Sequence, residues 1–314
     1  MLKPLVTMAA GAGRSARLSV LIFHRVLAQP DPLFPDEIDA TRFDRICAWL
    51  KEWFNVLPLD HAVTHLKAGT LPGRSACISF DDGYADNCQI ALPILQNHGL
   101  TATFFVATGF LNGGRMWNDT IIETVRARLG ATLDASCAGL GRLNLGSVSQ
   151  SRQAIDALIA KVKYLGIAER VEMTQTLAKV AAVDLPNDFM MTSAEVKNLR
   201  DAGMQIGAHT VSHPILARLG DADAKREIQD SQSFLQDLLG ERVGLFAYPN
   251  GKPGEDYSDQ TVNVLRQLDF DAAVSTTWGT TSTGDDLLQI RRFTPWDRSK
   301  WRFGLRLLGN LRAA

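Results

Sequence analysis

Two adjacent carboxylates, Asp81 and Asp82, close the apolar run Ala76-Cys77-Ile78-Ser79-Phe80 and are followed by Gly83. The run reads as a buried parallel strand, and the glycine lets the chain turn without Cβ strain. In α/β folds that carboxyl end is where ligands bind. Side chains alternate along an extended chain, so the two carboxylates take different roles unless the backbone turns between them. A second short strand, Met204 to Ala208, opens onto His209-Thr210-Val211-Ser212-His213-Pro214. A turn of chain between the two imidazoles puts them on one side, and Pro214 limits helical continuation. Neutral imidazoles are the commonest metal ligands, and two of them with one carboxylate leave positions open for water and substrate. A third strand, Leu18 to Phe23, delivers His24 to the relative position that Asp81 holds on its own strand. Another spaced pair, His61 and His65, has no acidic strand end tied to it and fits an exposed helix face.

The elements that must position these groups repeat as strand, helix, strand. Asp86 to His98 reads as a helix kinked or broken at Pro93 and ended by Gly99, and Ala102 to Ala107 is the next strand, which makes one crossover unit of a parallel sheet or barrel. Upstream, residues 41–53 have helical spacing with Thr41 as cap, and Leu59 to Leu66 forms a short helix. The pattern resumes with a capping box at Thr192-Ser193-Ala194-Glu195 and a helix ending at Ala202-Gly203. Ala222 to Leu239 is an amphipathic helix, and Val243 to Tyr248 a strand leading into the turn Pro249-Asn250-Gly251. A helix over 260–268, a strand at Ala272 to Ser275 and a last strand from Leu287 to Phe293, which carries Arg291 and Arg292, complete the series.

Two segments fall outside it. Residues from about 113 to 190 show a capping-box pattern at Thr120-Ile121-Ile122-Glu123, then Ala/Gly/Ser-rich turns and polar helices. They give no strand signal and read as a helical insertion, in which Asp119 is a helix cap rather than a catalytic group. The tail from 296 to 314 interleaves Arg298, Lys300, Arg302, Arg306 and Arg312 with Trp301, Phe303, Leu305 and Leu307. It fits either an anionic membrane surface or a helix docked on its own domain.

With 314 residues, 46% of them hydrophobic, the chain has ample core for one large α/β catalytic domain carrying that insertion. A formal net charge of -1 gives no reason to expect nucleic acid as a partner. The four cysteines lie far apart with no Cys-x-x-Cys pair, which suits reduced thiols rather than a disulfide framework. Leu18 to Phe23 is too short for a signal sequence or a membrane span, so the expected location is cytoplasmic, with any membrane contact peripheral and through the tail.

Ser79-Phe80-Asp81-Asp82-Gly83, His209 to His213, and Phe246-Ala247-Tyr248-Pro249-Asn250-Gly251, in this order, resemble the first three motifs of the polysaccharide deacetylases, carbohydrate esterase family 4. The resemblance spans roughly residues 18–110 and 190–295. It implies a distorted (β/α) barrel with fewer than the usual eight strands. It further implies a divalent metal, usually zinc, held by Asp82, His209 and His213, with Asp81 as the general base that takes the water proton. Backbone N–H groups of the turn Tyr248, Pro249 and Asn250 are then expected at the oxyanion. Two departures follow. Family members commonly carry an Arg where this chain has Ala247, and a late His as general acid, whereas no His occurs here after His213. Ile22-Phe23-His24-Arg25-Val26 resembles instead the amino-terminal motif of the poly-N-acetylglucosamine deacetylase branch, in which the acid comes from the opposite end of the chain. First and last strands of a closed barrel are neighbours, so His24 is the expected acid and Arg292 the expected partner of Asp81 in place of the missing Arg. The implied reaction removes acetyl from an N-acetylated amino sugar in a poly- or oligosaccharide or a lipid-linked precursor. Trp117, Tyr248 and Trp278 are candidates for stacking on pyranose faces. A hydrolase of another C–N bond, such as a cyclic amide, and a carbohydrate-binding relative without catalysis stay open as alternatives.

Overall fold

The apolar runs become the staves of a closed parallel barrel in the computed structural model, which describes residues 2–312. Helix α1 (Leu2–Ala10) leads into β1 (Arg17–Phe23). Then come α2 (Ala40–Trp53), the short β2 (Asn55–Val56), α3 (Leu59–Ala68), β3 (Ser75–Phe80), α4 (Leu92–His98) and β4 (Thr103–Val106). Next stand α5 (Trp117–Ala127), the hairpin of β5 (Thr132–Asp134) and β6 (Arg142–Asn144), α6 (Val148–Val162) and α7 (Ile167–Ala181). The barrel resumes with α8 (Ser193–Asp201), β7 (Gln205–Ala208), α9 (Asp221–Leu239), β8 (Leu245–Ala247), α10 (Asp259–Gln267) and β9 (Ala272–Trp278). The short β10 (Thr281–Ser282), β11 (Ile290–Phe293) and α11 (Lys300–Arg312) end it. Parallel pairing runs β1, β3, β4, β7, β8, β9, β11 and back to β1, so seven strands close the ring. β2 adds to the edge of β3, and β10 pairs antiparallel with β1.

Alternation along the strands splits the core in two. Leu18, Val20, Cys77, Phe105, Ala247, Val274 and Ile290 form one cluster with Leu59, Ala62, Val63 and Leu66 of α3. The opposite parity, including Leu21, Ile78, Phe80, Phe104, Phe246 and Phe293, packs against the outer helices. α11 belongs to that outer layer: Phe303, Leu307, Leu308 and Leu311 are buried in it, and the Arg17 guanidinium donates to the Leu311 carbonyl. The apolar face of the tail helix is thus spent on the chain's own core, which leaves Trp301 and Leu305 exposed. No helix among the described residues is long and apolar enough to cross a membrane. Cys47, Cys77 and Cys88 are buried, Cys137 is exposed, and none is disulfide-bonded.

Several local expectations shift. The cap of α2 is Asp39, whose carboxylate accepts the Arg42 N–H at 2.9 Å, not Thr41. Pro93 does not break the helix: residues 85–98 are continuously helical, and the turn before the proline, Asn87–Ala91, widens to a π-bulge that accommodates its missing N–H. The capping box of α5 lies earlier than the Thr120-Glu123 pattern, because Asp119 reaches back to the Met116 N–H at 2.9 Å.

Contacts divide the chain into two units, Met1–Gln29, Asp36–Leu111 and Met191–Ala314 in one, Pro30–Pro35 and Asn112–Met190 in the other. The second unit has its own core of Leu33, Ile121, Val125, Leu133, Ile155, Leu158 and Leu177. It also contains the β5–β6 hairpin, in a stretch with no strand signal in its residues. Within it Arg126 grips Asp31 with both terminal nitrogens, at 3.0 and 2.6 Å. Burial alone would push the Asp31 carboxyl up, but the Arg126 hydrogen bonds outweigh it and hold it below its ordinary value. A depressed folded-state pKa adds stability above the unfolded value of about 3.9, and that stability is lost as pH falls through the folded value. Arg126→Met is therefore expected to destabilise the chain by about 1 kcal/mol at neutral pH. Thermal melts of the two proteins should converge as pH falls below the ordinary carboxylate range, through the depressed folded value of Asp31.

Candidate metal centre and active site

The barrel interior is apolar at the amino ends of its strands and polar at the carboxyl ends. Period two carries one face of β3 from Cys77 through Ser79 to Asp81, and the same rule takes β1 from Leu18 and Val20 to His24 and β11 from Ile290 to Arg292. Register places Phe23 opposite Phe80, and the Asp81 N–H donates to the Phe23 carbonyl at 2.9 Å, so His24 and Asp81 leave the barrel side by side. The His24 side chain is exposed, and its charge acts on both Asp81 and Asp82.

Asp82 would point away from this face on a straight strand. A left-handed backbone (φ 76°) turns it inward, and Gly83 continues the turn at φ 91°. A Cβ on Gly83 would lie 3.1 Å from Val106 Cγ1 on top of the φ strain, which accounts for the glycine. The Asp82 Oδ1 then lies 3.3 Å from His209 Nε2 and 3.4 Å from His213 Nε2. Thr210 (φ 65°), His213 (φ 51°) and Asn250 (φ 59°) are also left-handed. Such conformations persist only where the surroundings hold them, and they concentrate at working sites.

Asp82, His209 and His213 offer one ligand atom each, all within 4.8 Å of one another. A tetrahedral ion with bonds of about 2.0–2.2 Å to nitrogen and oxygen separates its ligands by about 3.3–3.6 Å, which is the distance of Asp82 Oδ1 from each imidazole here. Asp82 Oδ1 is buried and accepts no hydrogen bond of ordinary geometry. The Nδ1–H of His209 donates to the Ala247 carbonyl at 2.7 Å, which leaves the Nε2 lone pair facing Asp82. Burial pushes the Asp82 carboxyl up, yet the two imidazoles outweigh burial and hold it well below the usual range. Burial likewise pushes the His209 imidazole down, and the Asp82 and Asp81 carboxylates draw it up past its ordinary value. This pocket calls for positive charge, and its donor set fits a divalent ion such as zinc.

Beside it, Arg292 clamps Asp81. Both terminal nitrogens donate to the carboxylate at 2.7 Å, Nε donates to the Ser275 carbonyl at 2.7 Å, and Nη1 donates to Ser79 Oγ at 3.3 Å. Burial would raise the Asp81 carboxyl, and the Arg292 charge and hydrogen bonds more than offset that. The aim of Arg292 depends on a bulge: Ile290 faces Val274 but Arg292 faces Trp278, so β9 carries extra residues there. Trp278 itself is exposed at the end of β9.

After β8 the turn distributes its groups unequally. The Tyr248 N–H donates to the Val274 carbonyl and its hydroxyl to the Leu288 carbonyl, while the buried ring stacks on Tyr257. The Tyr248 side chain therefore does not line the barrel mouth. Trp117 lies in the other unit, where the Arg170 guanidinium covers its ring. His65 shares a hydrogen bond with Thr70 on α3 and takes no part in the Asp/His/His group.

Three supporting residues escaped the sequence reading. Asp86 accepts from Arg25 Nε at 2.8 Å and from the Val26 N–H at 3.1 Å, and the Asn87 side chain donates to the His24 carbonyl at 2.9 Å. Together they pin the segment that presents His24. Glu227 of α9 accepts hydrogen bonds from the loop between His209 and His213. The first two lie within the helix start read from the sequence, and only their polarity amid buried neighbours could have marked them.

Comparison with known proteins agrees with this geometry. The polysaccharide deacetylase family matches residues 68–131 and 149–273, more than half of the chain. YxkH of Bacillus subtilis, provisionally described as a polysaccharide deacetylase, is 18% identical over 89% of this chain and 71% of its own. Two solved structures share the fold: the Streptococcus pyogenes deacetylase PplD in complex with acetate (TM-score 0.62, 19% identity, 94% of this chain and 98% of that one) and IcaB from Ammonifex degensii (TM-score 0.61, 18% identity, 96% and 98%). Since the family match takes in both the Asp81-Asp82 turn and the His209–His213 loop that meet at the barrel mouth, the chain belongs to the polysaccharide deacetylase family.

Proposed function

We propose that this protein is a zinc-type metal-dependent N-deacetylase that removes acetyl from an amino sugar in a poly- or oligosaccharide or a lipid-linked precursor. The observation that carries the reading is the pairing of Arg292 with Asp81 immediately beside the Asp82, His209 and His213 group. A divalent ion held by those three residues supplies polarisation of the amide carbonyl and an acidified water. Asp81, kept ionised by Arg292, takes the water proton. His24, on the neighbouring strand end and open to solvent, delivers a proton to the leaving amine nitrogen. At the turn after β8, Pro249 has no N–H and that of Tyr248 is spent on Val274, so the oxyanion donor is the Asn250 N–H. Trp278, exposed beside Arg292, offers its face to a sugar ring.

Acetate release from N-acetylglucosamine oligomers and lipid-linked N-acetylated sugars tests the reading. Zinc-loaded protein is expected to release acetate, a chelator to abolish the release, and added zinc to restore it. Metal-loaded protein that turns over cyclic amides but no acetylated sugar would overturn it, as would metal binding with no turnover on either.

A further inference from the structure

The loop joining the two imidazoles is tied internally only through Thr210, whose hydroxyl accepts the His213 N–H at 3.1 Å and donates to the His209 carbonyl, and the rest of its bracing comes from outside. Thr210 and His213 are both left-handed, and a β-branched residue such as threonine leaves that region unless neighbours keep it there. Between them, the N–H groups of Val211 and Ser212 turn away from the barrel strands toward α9, where both donate to one oxygen of Glu227, Oε2, at 2.9 and 2.8 Å. The Ser212 hydroxyl donates to the other oxygen, Oε1, at 2.7 Å. Successive backbone N–H groups converging on one acceptor form an anion-binding concavity, and this one is filled by a carboxylate of the chain itself. The opposite side of the loop is fixed by backbone alone. The Thr108 N–H donates to the Thr210 carbonyl at 3.1 Å and the Gly109 N–H to the Val211 carbonyl at 2.9 Å. That approach is so close that a Cβ on Gly109 would stand 2.7 Å from the Val211 oxygen. Held on both sides, the loop has a single shape, and the spacing of His213 from His209 follows from it.

We infer that Glu227 is a positioning residue for the metal centre, setting where the His213 imidazole stands relative to Asp82 and His209. The inference rests on the metal reading of those three residues. His209 has its own anchor in the Ala247 carbonyl, so Glu227 acts chiefly on the His213 side. Residues that orient ligands from behind typically govern metal affinity by about 10–100-fold when removed.

The test is zinc affinity of the folded protein, measured by competition with a chromogenic chelator, beside the thermal midpoint of the metal-free protein. Glu227→Ala is expected to weaken zinc by about 10–100-fold. Glu227→Gln is expected to recover most of that, because its amide oxygen can accept both N–H groups while its amide nitrogen donates to Ser212 Oγ. If Glu227 only braced the fold, the metal-free midpoint would drop and zinc affinity would stay at the wild-type value. That result overturns the inference, as does a Gln variant as weak as the Ala variant. Should Glu227→Ala fail to fold, Ser212→Ala decides: it removes one of the three hydrogen bonds and must weaken zinc with the metal-free midpoint unchanged. Wild-type protein that binds no divalent ion at all would remove the metal reading and this inference together, and the two failures are told apart by that control.

Discussion

Asp81→Asn is expected to lower acetate release by about 10²–10⁴-fold while zinc stays bound. The amide is nearly the same size as the carboxylate and its oxygen keeps one of the two Arg292 hydrogen bonds, while its NH2 cannot accept the other, so some stability is lost, and Asp82, His209 and His213 are untouched. What disappears is a buried carboxylate beside the Asp82, His209 and His213 group, held ionised and oriented by Arg292: two of its lone-pair positions are filled by Arg292, and an ionised carboxylate has others with which to accept a water proton. His24→Ala is expected to fall within the same range for the opposite proton transfer, and because His24 is exposed, added imidazole should recover part of its activity. The double variant should lie little below the worse single one, since base and acid serve one reaction sequence. Zinc content, circular dichroism and initial rates are the measurements. A loss under about tenfold in metal-replete, folded Asp81→Asn would take the base role away from Asp81.

How much of this site could be read beforehand depended on how local its causes are. Strand ends are properties of a few consecutive residues, which is why His24 and Asp81 could be given matching strand-end positions from the sequence, whereas the pairing of Arg292 with Asp81 came from the family resemblance. Alternation alone would send Asp81 and Asp82 to opposite sides, and the left-handed Asp82 is the turn that overrides it. Glu227 was not legible. On α9 it is one polar residue among many on an amphipathic helix, and its hydrogen bonds to Val211 and Ser212 depend on how that helix packs behind β7. The β5–β6 hairpin was hidden because each strand has three residues, too few to show alternation amid glycine and alanine. The tail was ambiguous in principle, since basic and aromatic residues interleave equally on a docked helix and on a membrane surface. Burial of Phe303, Leu307, Leu308 and Leu311 follows from where α11 lands, after the barrel has closed.

Arg292→Met should unfold the protein at markedly lower denaturant, a loss of about 3–5 kcal/mol, and abolish turnover with it. The pair is among the most deeply buried charge pairs of the barrel, Arg292 at 1% exposure and Asp81 at 3%. Burying both charges costs a great deal, and the interaction of the two with each other and with Ser79 and Ser275 offsets that cost. Removing the cation alone leaves a carboxylate with the desolvation and without the offset. The consequence that separates this account from simple loss of packing is a reversal. Arg292→Met with Asp81→Asn should be more stable than Arg292→Met alone, because the second change removes the uncompensated charge. If packing were the cause, the two losses would add. Urea titration of the four proteins closes the cycle, and a double variant less stable than either single one would show that Arg292 supports the barrel by bulk rather than by holding the Asp81 charge.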